Sequence, residues 1–127
     1  MNGYSVRARI YGMPYLNIQT NVSIDDDALD TLLKKSSALT AELLGKPEEF
    51  IMIACKDEVP MLFAGHDGPT AFLELKSIGL QPDKTKLLSK ELCALVEGEL
   101  SIPSDRVYVK FNDAQRTMWG WKGDTFG

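Results

Sequence analysis

The stretch ALTAELLGKPEEFIMIACKD, residues 38–57, aligns without gaps with ALVEGELSIPSDRVYVKFND, residues 94–113. In each copy the pattern indicates the end of a helix, a turn containing a proline, and a strand with alternating apolar residues. Pro47 of the first copy falls on Pro103 of the second, so the turn recurs at the same place. The chain therefore contains an internal repeat of one structural unit.

An apolar face with helical spacing precedes the turn in both copies. In the first copy, Ser23 and the acidic run 25–27 mark the helix start, and Gly45 supplies a left-handed end. In the second copy the helix is expected from about residue 83 to residue 100. The two apolar faces comprise Leu29, Leu32, Leu33, Leu39, Leu43 and Leu44 in the first helix, and Leu88, Leu92, Leu95 and Val96 in the second.

Candidate strands flank each helix, at 15–21 and 50–56 in the first unit and at 70–78 and 106–112 in the second. Strands joined by a crossover helix run parallel, so the sequence predicts two β-α-β repeats. We expect an α+β fold in which two helices cover one face of a four-stranded mixed sheet. The other face would carry apolar residues among polar ones, which predicts self-association.

Composition excludes several function classes. A chain of 127 residues with a net charge of −4 suits one domain and argues against a nucleic-acid partner. No apolar run approaches the roughly 20 residues that span a bilayer, so we expect no membrane partner. Cys55 and Cys93 form no Cys-x-x-Cys pair and His66 has no metal-ligand companion. A cytoplasmic location is expected, with non-classical secretion as the alternative.

Five segments match one known family in order and spacing: MPYLNIQTNV (13–22), LLGKPEEFIMI (43–53), LKSIG (75–79), IPSDRVYVKF (102–111) and GWKGDTFG (120–127). On these segments the chain resembles the macrophage migration inhibitory factor and D-dopachrome tautomerase family, within the tautomerase superfamily. The match makes residues 13–127 a single domain and residues 1–12 an N-terminal leader or extension. The resemblance implies a homotrimer with an active site at each subunit boundary and no cofactor.

Pro14 matches the family's N-terminal proline, which is the catalytic base of a keto–enol tautomerase acting on small aryl 2-oxo acids of the phenylpyruvate or dopachrome type. An N-terminal proline is a secondary amine, and an ordinary α-amino group has a pKa of about 7.7–8.0. Apolar burial or a nearby cation lowers that pKa, and a base near neutrality can move a proton from carbon to oxygen. We therefore expect an isomerase, provided that Pro14 becomes the first residue after a start at Met13.

The resemblance assigns further site residues. Lys46 matches the position that binds the substrate carboxylate, and Ser77 and Ile78 match the strand end beside the proline. Tyr108 and Lys110 match positions that reach into the neighbouring subunit's site, although Lys110 stands where vertebrate members commonly have asparagine, which leaves the preferred substrate open. An aromatic wall is expected from Tyr15, Phe50, Trp119, Trp121 and Phe126.

Residues 4–12 alternate in the manner of a strand. While this leader is attached, the nitrogen of Pro14 is an amide without useful basicity. Because the family's proline points into the pocket, residues 11–13 should then obstruct the pocket mouth. We expect the full chain to fold and to trimerise but to be nearly inactive.

Several alternatives remain open from the residues alone. Without the family, Pro14 is a strand-opening proline, Lys46 a solvated lysine, and the aromatic residues core packing. The main functional alternative is a cytokine or intracellular binding protein with vestigial tautomerase activity and an unknown protein receptor. Hydrolytic dehalogenation is disfavoured because Arg106 and Arg116 are not at the expected places. Thiol–disulfide activity is disfavoured because the matching stretch, TAFL at 70–73, lacks cysteine.

Overall fold

The computed structural model describes residues 12–127, so the predicted leader lies outside the described residues apart from Gly12. Two β-α-β units follow one another, as the repeat predicts. The first unit comprises β1 (Tyr15–Thr20), α1 (Asp26–Leu44) and β2 (Met52–Lys56). The second comprises β3 (Ala71–Ile78), α2 (Thr85–Leu100) and β4 (Val107–Ala114).

Within the described chain these strands form one four-stranded sheet in the order β2-β1-β3-β4. Each crossover joins parallel strands, β1 with β2 and β3 with β4, while the central pair β1 and β3 is antiparallel. The α+β fold with a mixed sheet is therefore confirmed. The central antiparallel pair brings the start of β1 beside the end of β3, which is where the candidate site lies.

The ends of α1 follow the chemistry of its sequence. The Asp25 carboxylate accepts a hydrogen bond from the Ala28 N–H at 2.8 Å, which satisfies one of the free donors of the first turn. At the other end, Gly45 has a φ of 64° and its N–H donates to Glu42 O. This left-handed residue turns the chain toward the sheet and carries Lys46 with it.

The main core lies between the sheet and the two helices. Strand residues alternate between buried and partly exposed, with Leu16, Ile18, Leu73 and Leu75 wholly buried on the helix-facing side. The helices cover them with Leu32 from α1 and with three buried residues of α2, namely Leu88, Leu92 and Val96.

The buried row of α1 differs from the expected leucine face. It runs at intervals of four through Leu32, Ser36, Thr40 and Leu44, so two of its four members are polar. Ser36 Oγ and Thr40 Oγ1 have no hydrogen-bond partner among the described residues. The periodicity of leucines alone does not reveal this, because both hydroxyl side chains are small enough to fit between the leucines.

A short C-terminal hairpin, which the sequence did not predict, completes the described chain. Its strands are β5 (Gly120–Trp121) and β6 (Asp124–Thr125), preceded by a 3-10 turn at Arg116–Met118. The hairpin contributes Trp119, Trp121 and Phe126 to a second, smaller apolar cluster with Phe50 and Ile78.

The sheet face away from the helices is only partly covered and is mixed in character, as expected. Met52 and Tyr108 lie on it with exposed fractions of 66% and 64%. Its strand residues are Tyr15, Asn17, Gln19, Met52, Ala54, Lys56, Phe72, Glu74, Lys76, Tyr108, Lys110 and Asn112. Neither helix of the described part has an apolar stretch sufficient to cross a bilayer.

Candidate active site

Pro14 lies buried at the entrance to β1, between β2 and β3. Its carbonyl oxygen accepts a hydrogen bond from the Met52 N–H at 2.9 Å, which fixes it against β2. On the other side Tyr15 is opposite Lys76 in the antiparallel register, and continuing that register places Pro14 opposite Ser77. The sheet itself therefore determines where the Pro14 nitrogen lies.

Lys46 reaches the same strand end from the turn after α1. Its ammonium donates to Ser77 Oγ at 2.8 Å and to the Ile78 carbonyl oxygen at 3.2 Å. Ser77 and Ile78 are both buried. The structure thus brings Pro14, Lys46, Ser77 and Ile78 together, although they lie in three separate parts of the sequence.

The charge of Lys46 is destabilised by its surroundings. Burial is the largest cause, followed by the positive charges of Lys84 and Arg116, and together they lower the pKa of the ammonium below its ordinary value. The Asp113 carboxylate opposes this shift. A bound carboxylate would relieve the repulsion, so this corner favours an anionic ligand. No sequence pattern predicts the contributions of Lys84 and Asp113.

Asp113 also shapes the turn that follows β3. Its Oδ1 accepts hydrogen bonds from the Gly79 N–H at 3.0 Å and the Leu80 N–H at 3.1 Å. Gly79 has a φ of 72°, a conformation that glycine adopts without strain. The Ile78 carbonyl that binds Lys46 is therefore held immediately before a fixed turn.

An aromatic cavity of about 130 Å³ is lined by both chain neighbours of Pro14, Met13 and Tyr15, whereas Pro14 and Lys46 are not among its lining residues. An apolar cavity of about 150 Å³ can hold a benzene molecule, so this space is close to the size of one aromatic ring. Four of the five predicted aromatic residues line it together with Met13, which was expected near the pocket, whereas Met52 and Gly120 were not predicted. Its lining residues are Met13, Tyr15, Phe50, Met52, Trp119, Gly120 and Trp121.

Phe126, the fifth predicted wall residue, lies behind the cavity instead of on it. It is buried and stacks on Trp121, with ring centroids 6.2 Å apart and planes 5° from parallel. Its N–H donates to the Trp119 carbonyl oxygen at 3.1 Å. Phe126 therefore supports both tryptophans of the wall.

The two residues just before Pro14 both have positive φ values. Met13 lines the cavity and has a φ of 39°, which is rare for a residue with a side chain. Gly12 has a φ of 72°, and a Cβ at this position would approach Ile78 Cβ to 3.0 Å. The signal in the sequence was the position of Met13, directly before the candidate base.

Tyr108 and Lys110 lie far from Pro14 within one chain. Pro14 is opposite Ser77, Ser77 pairs with Asp113, and Tyr108 precedes Asp113 by five residues on β4. At roughly 3.3 Å per residue this separates Tyr108 from the Pro14 level by about 16 Å along the strand. Neither residue is among those that line the same chain's cavity.

The remaining chemistry-bearing residues of the described chain lie apart from this cavity. His66 is exposed in a loop, as expected. Burial raises the pKa of the Cys55 thiol to about 11 and raises that of Cys93 as well, so both thiols are protonated at neutral pH. Among residues 12–127 no three His, Cys, Asp or Glu side chains cluster closely enough to hold a metal ion.

The family model described as macrophage migration inhibitory factor matches residues 13–127. The chain belongs to the macrophage migration inhibitory factor family. The match begins at Met13 and spans both β-α-β units and the C-terminal hairpin that supplies Trp119 and Trp121.

The chain aligns with nearly the full length of its relatives in the macrophage migration inhibitory factor family. A macrophage migration inhibitory factor homolog from Brugia malayi is 36% identical over 116 residues, which is 91% of this chain and 100% of that protein. The macrophage migration inhibitory factor of Xenopus tropicalis is 37% identical over 115 residues, covering 90% of this chain and 99% of that protein.

A solved structure supports the same conclusion about the fold. The macrophage migration inhibitory factor homologue from Prochlorococcus marinus is 44% identical and superimposes with a TM-score of 0.85. The superposition covers 89% of this chain and 99% of that one.

Proposed function

We propose that this protein is a cofactor-independent keto–enol tautomerase of small aryl 2-oxo acids, with Pro14 as its base once Pro14 is the first residue. The observation that carries the proposal is the register of β1 and β3. Continued by one residue beyond Tyr15 and Lys76, that register puts Pro14 opposite Ser77, whose hydroxyl oxygen accepts from the Lys46 ammonium at 2.8 Å. The cavity lined by the chain neighbours of Pro14 lies at the same end of the sheet, which supports a site built from a base, a cation and an aromatic cavity.

The ring and the carboxylate of such a substrate have complementary places at this end. The cavity between Tyr15, Phe50 and Trp119 matches one aromatic ring in size. Lys46 offers a partly desolvated ammonium to the carboxylate, and the neighbouring charges of Lys84 and Arg116 favour an anion there. A substrate held at both ends would present the carbon between ring and carbonyl to Pro14.

The reaction needs only proton transfers. The secondary amine of Pro14 would accept a proton from the carbon next to the carbonyl, and the electron pair of that C–H bond would form the enolate. The protonated proline would then return a proton to the enolate oxygen, which gives the enol. The positive charge of Lys46 lowers the pKa of a nearby amine and favours the developing negative charge.

Pro14 has an amine only when no peptide bond joins it to a preceding residue. In the full chain that nitrogen is a tertiary amide, and the Met13 side chain occupies part of the cavity lining. Translation from Met13 followed by removal of the methionine would correct both at once, because it frees the nitrogen and enlarges the cavity.

The site is completed by neighbouring subunits in the proposed homotrimer. Tyr108 and Lys110 lie on the open sheet face, away from their own chain's cavity. In a trimer these side chains would reach the cavity of the next subunit. A second ammonium from Lys110 would lower the pKa of the Pro14 amine further and attract an anionic substrate.

The test compares two purified proteins, one starting at Met1 and one at Pro14, each verified by intact mass. Both are assayed on phenylpyruvate without metal or nucleotide. We expect kcat/KM to be at least about 100-fold higher for the form that starts at Pro14, since it alone has the general base. Comparable values from both forms would refute the mechanism.

The alternative is a signalling or intracellular binding protein whose tautomerase activity is vestigial. The observation that favours it is the amide at Pro14, which has no catalytic use in the full chain. The intact mass of the natural protein discriminates the two functions. A natural protein that retains its leader would favour the alternative.

A further inference from the structure

Arg106, just before β4, donates hydrogen bonds to the loop that precedes β3. Its Nε donates to the Pro69 carbonyl oxygen at 2.8 Å, and its Nη1 donates to that of Phe63 at 3.2 Å. Its Nη2 donates to the carbonyl oxygens of His66 and Gly68, both at 3.1 Å. One guanidinium group therefore holds four carbonyls of a loop that lies about 40 residues away in sequence.

The loop that Arg106 holds is a tight turn. The backbones of Phe63 and His66 exchange two hydrogen bonds of 3.0 Å. Ala64 and Gly65 between them have φ values of 55° and 76°, as in the two-residue turns of hairpins. The His66 carbonyl oxygen accepts from both Phe63 and Arg106, so the guanidinium stabilises the closed turn and the position of Phe63.

Phe63 connects Arg106 to Tyr108. The guanidinium carbon of Arg106 lies 5.3 Å from the Phe63 ring centroid, within cation–π distance. The Phe63 ring also contacts the Tyr108 ring edge-to-face, with the ring centroids 5.0 Å apart and the ring planes at 61°. These contacts fix one orientation for a tyrosine whose exposed fraction is 64%.

We propose that Arg106, acting through Phe63, is a positioning residue that holds the Tyr108 ring in the orientation with which it completes the neighbouring subunit's site. The inference rests on the proposed function, because that function gives Tyr108 its place in a site. An error of about 1 Å in the position of a group in an active site can cost about 100-fold in rate. An exposed ring on a strand therefore needs such support if it takes part in catalysis.

Asn21 provides a matched control because its hydrogen bonds hold the same loop at Asp67, Gly68 and Thr70 instead of at Phe63. Its Nδ2 donates to the carbonyl oxygens of Asp67 and Gly68 at 3.0 and 2.9 Å. Its Oδ1 accepts from the Thr70 N–H at 2.9 Å. Asn21→Ala should loosen the base of the loop but leave the contacts among Arg106, Phe63 and Tyr108 in place.

The first arm is a double-mutant cycle in the form that starts at Pro14. Arg106→Gln should lower kcat/KM on phenylpyruvate about tenfold when Tyr108 is present, and less than about twofold in a Tyr108→Ala background. A purely structural role would cost the same factor in both backgrounds. Asn21→Ala should show no such dependence on Tyr108.

The second arm does not use activity. The full chain, labelled with 3-fluorotyrosine, gives fluorine resonances from its four tyrosines, and the Tyr108 signal is the one that Tyr108→Phe removes. Arg106→Gln and Phe63→Leu should each shift or broaden the Tyr108 signal. Asn21→Ala should leave the Tyr108 signal in place.

The two arms separate the inference from the proposed function. If the form that starts at Pro14 is inactive, the proposed function fails and the fluorine spectra alone decide the role of Arg106. An unmoved Tyr108 signal in Arg106→Gln would overturn the inference. So would a shift of equal size in Asn21→Ala, or equal activity losses with and without Tyr108.

Discussion

The Lys46 ammonium lies 2.8 Å from the hydroxyl oxygen of Ser77, the residue opposite Pro14 in the register of the central strands. A helix end, a strand end and a strand start therefore converge on one point. The hydrogen bonds to Ser77 and Ile78 hold the ammonium there before any ligand arrives. We therefore expect Lys46 to act as a fixed cation for an anionic group next to Pro14.

Lys46→Ala should raise KM for phenylpyruvate about tenfold or more and lower kcat much less, because a carboxylate-binding group contributes mainly uniform binding. Steady-state kinetics on the form that starts at Pro14 measures both constants. The values of kcat and KM for a ketone that lacks the carboxylate should hardly change. Lys84→Gln is the control. It removes a neighbouring positive charge but keeps the Lys46 ammonium, so it should raise KM much less. Equal losses on both substrates would contradict the role given to Lys46.

Pro14→Gly, in a chain that starts at residue 14, should lose about 100-fold in kcat. Glycine leaves a primary amine that differs from proline in basicity and in orientation. The thermal unfolding midpoint should change little, because the backbone bond from Met52 to the carbonyl of residue 14 is retained. Full activity in the glycine variant would show that the Pro14 nitrogen is not the base.

Most of the fold follows from the repeat and its periodicity, whereas the site depends on register. Gly45 and Pro47 end α1 locally. The parallel pairs follow from topology, because each joins two strands through a crossover helix. The position of Pro14 beside the end of β3 requires the antiparallel contact of β1 with β3, which no local pattern specifies. The polar row of Ser36 and Thr40 escaped prediction because hydroxyl residues usually mark exposed positions.

Thr40→Val should stabilise the protein by about 1 kcal/mol, because its buried hydroxyl has no hydrogen-bond partner among the described residues. Thr20→Val is the matched control. Thr20 Oγ1 donates to the Thr70 carbonyl oxygen at 2.7 Å and accepts from the Val22 N–H at 3.2 Å, so its loss should cost about 1–2 kcal/mol. Denaturant titration of both variants measures the difference, and similar losses in the two would contradict the assignment.

Cys55 should make the protein less stable at alkaline pH. Burial first, and the Asp57 carboxylate second, raise the pKa of its thiol from 9.0 to about 11. Between these values the unfolded chain loses the thiol proton and the folded chain keeps it, so stability falls as the pH rises. The free energy of unfolding relative to Cys55→Ala should therefore decrease from about pH 9 toward pH 11. A pH-independent difference would contradict the shift.

A homotrimer is expected at micromolar concentration in dilute neutral buffer. On the sheet face opposite the helices, the exposed fractions of Met52 and Tyr108 are 66% and 64%. The two described helices cannot cover both faces, which leaves this face for another subunit. Sedimentation equilibrium measures the mass directly. A species of 14.1 kDa, the mass of one chain, would refute the trimer.

The Met13 side chain at the cavity has a practical consequence for ligand discovery. A screen performed on the full chain would present compounds with a space already narrowed by a thioether and with a nitrogen that cannot react. Compounds found that way would be selected for the wrong shape. An electrophile could modify the Pro14 nitrogen only in molecules that begin at Pro14, so the modification at that residue, located by peptide mass, would count the processed fraction in a mixed preparation.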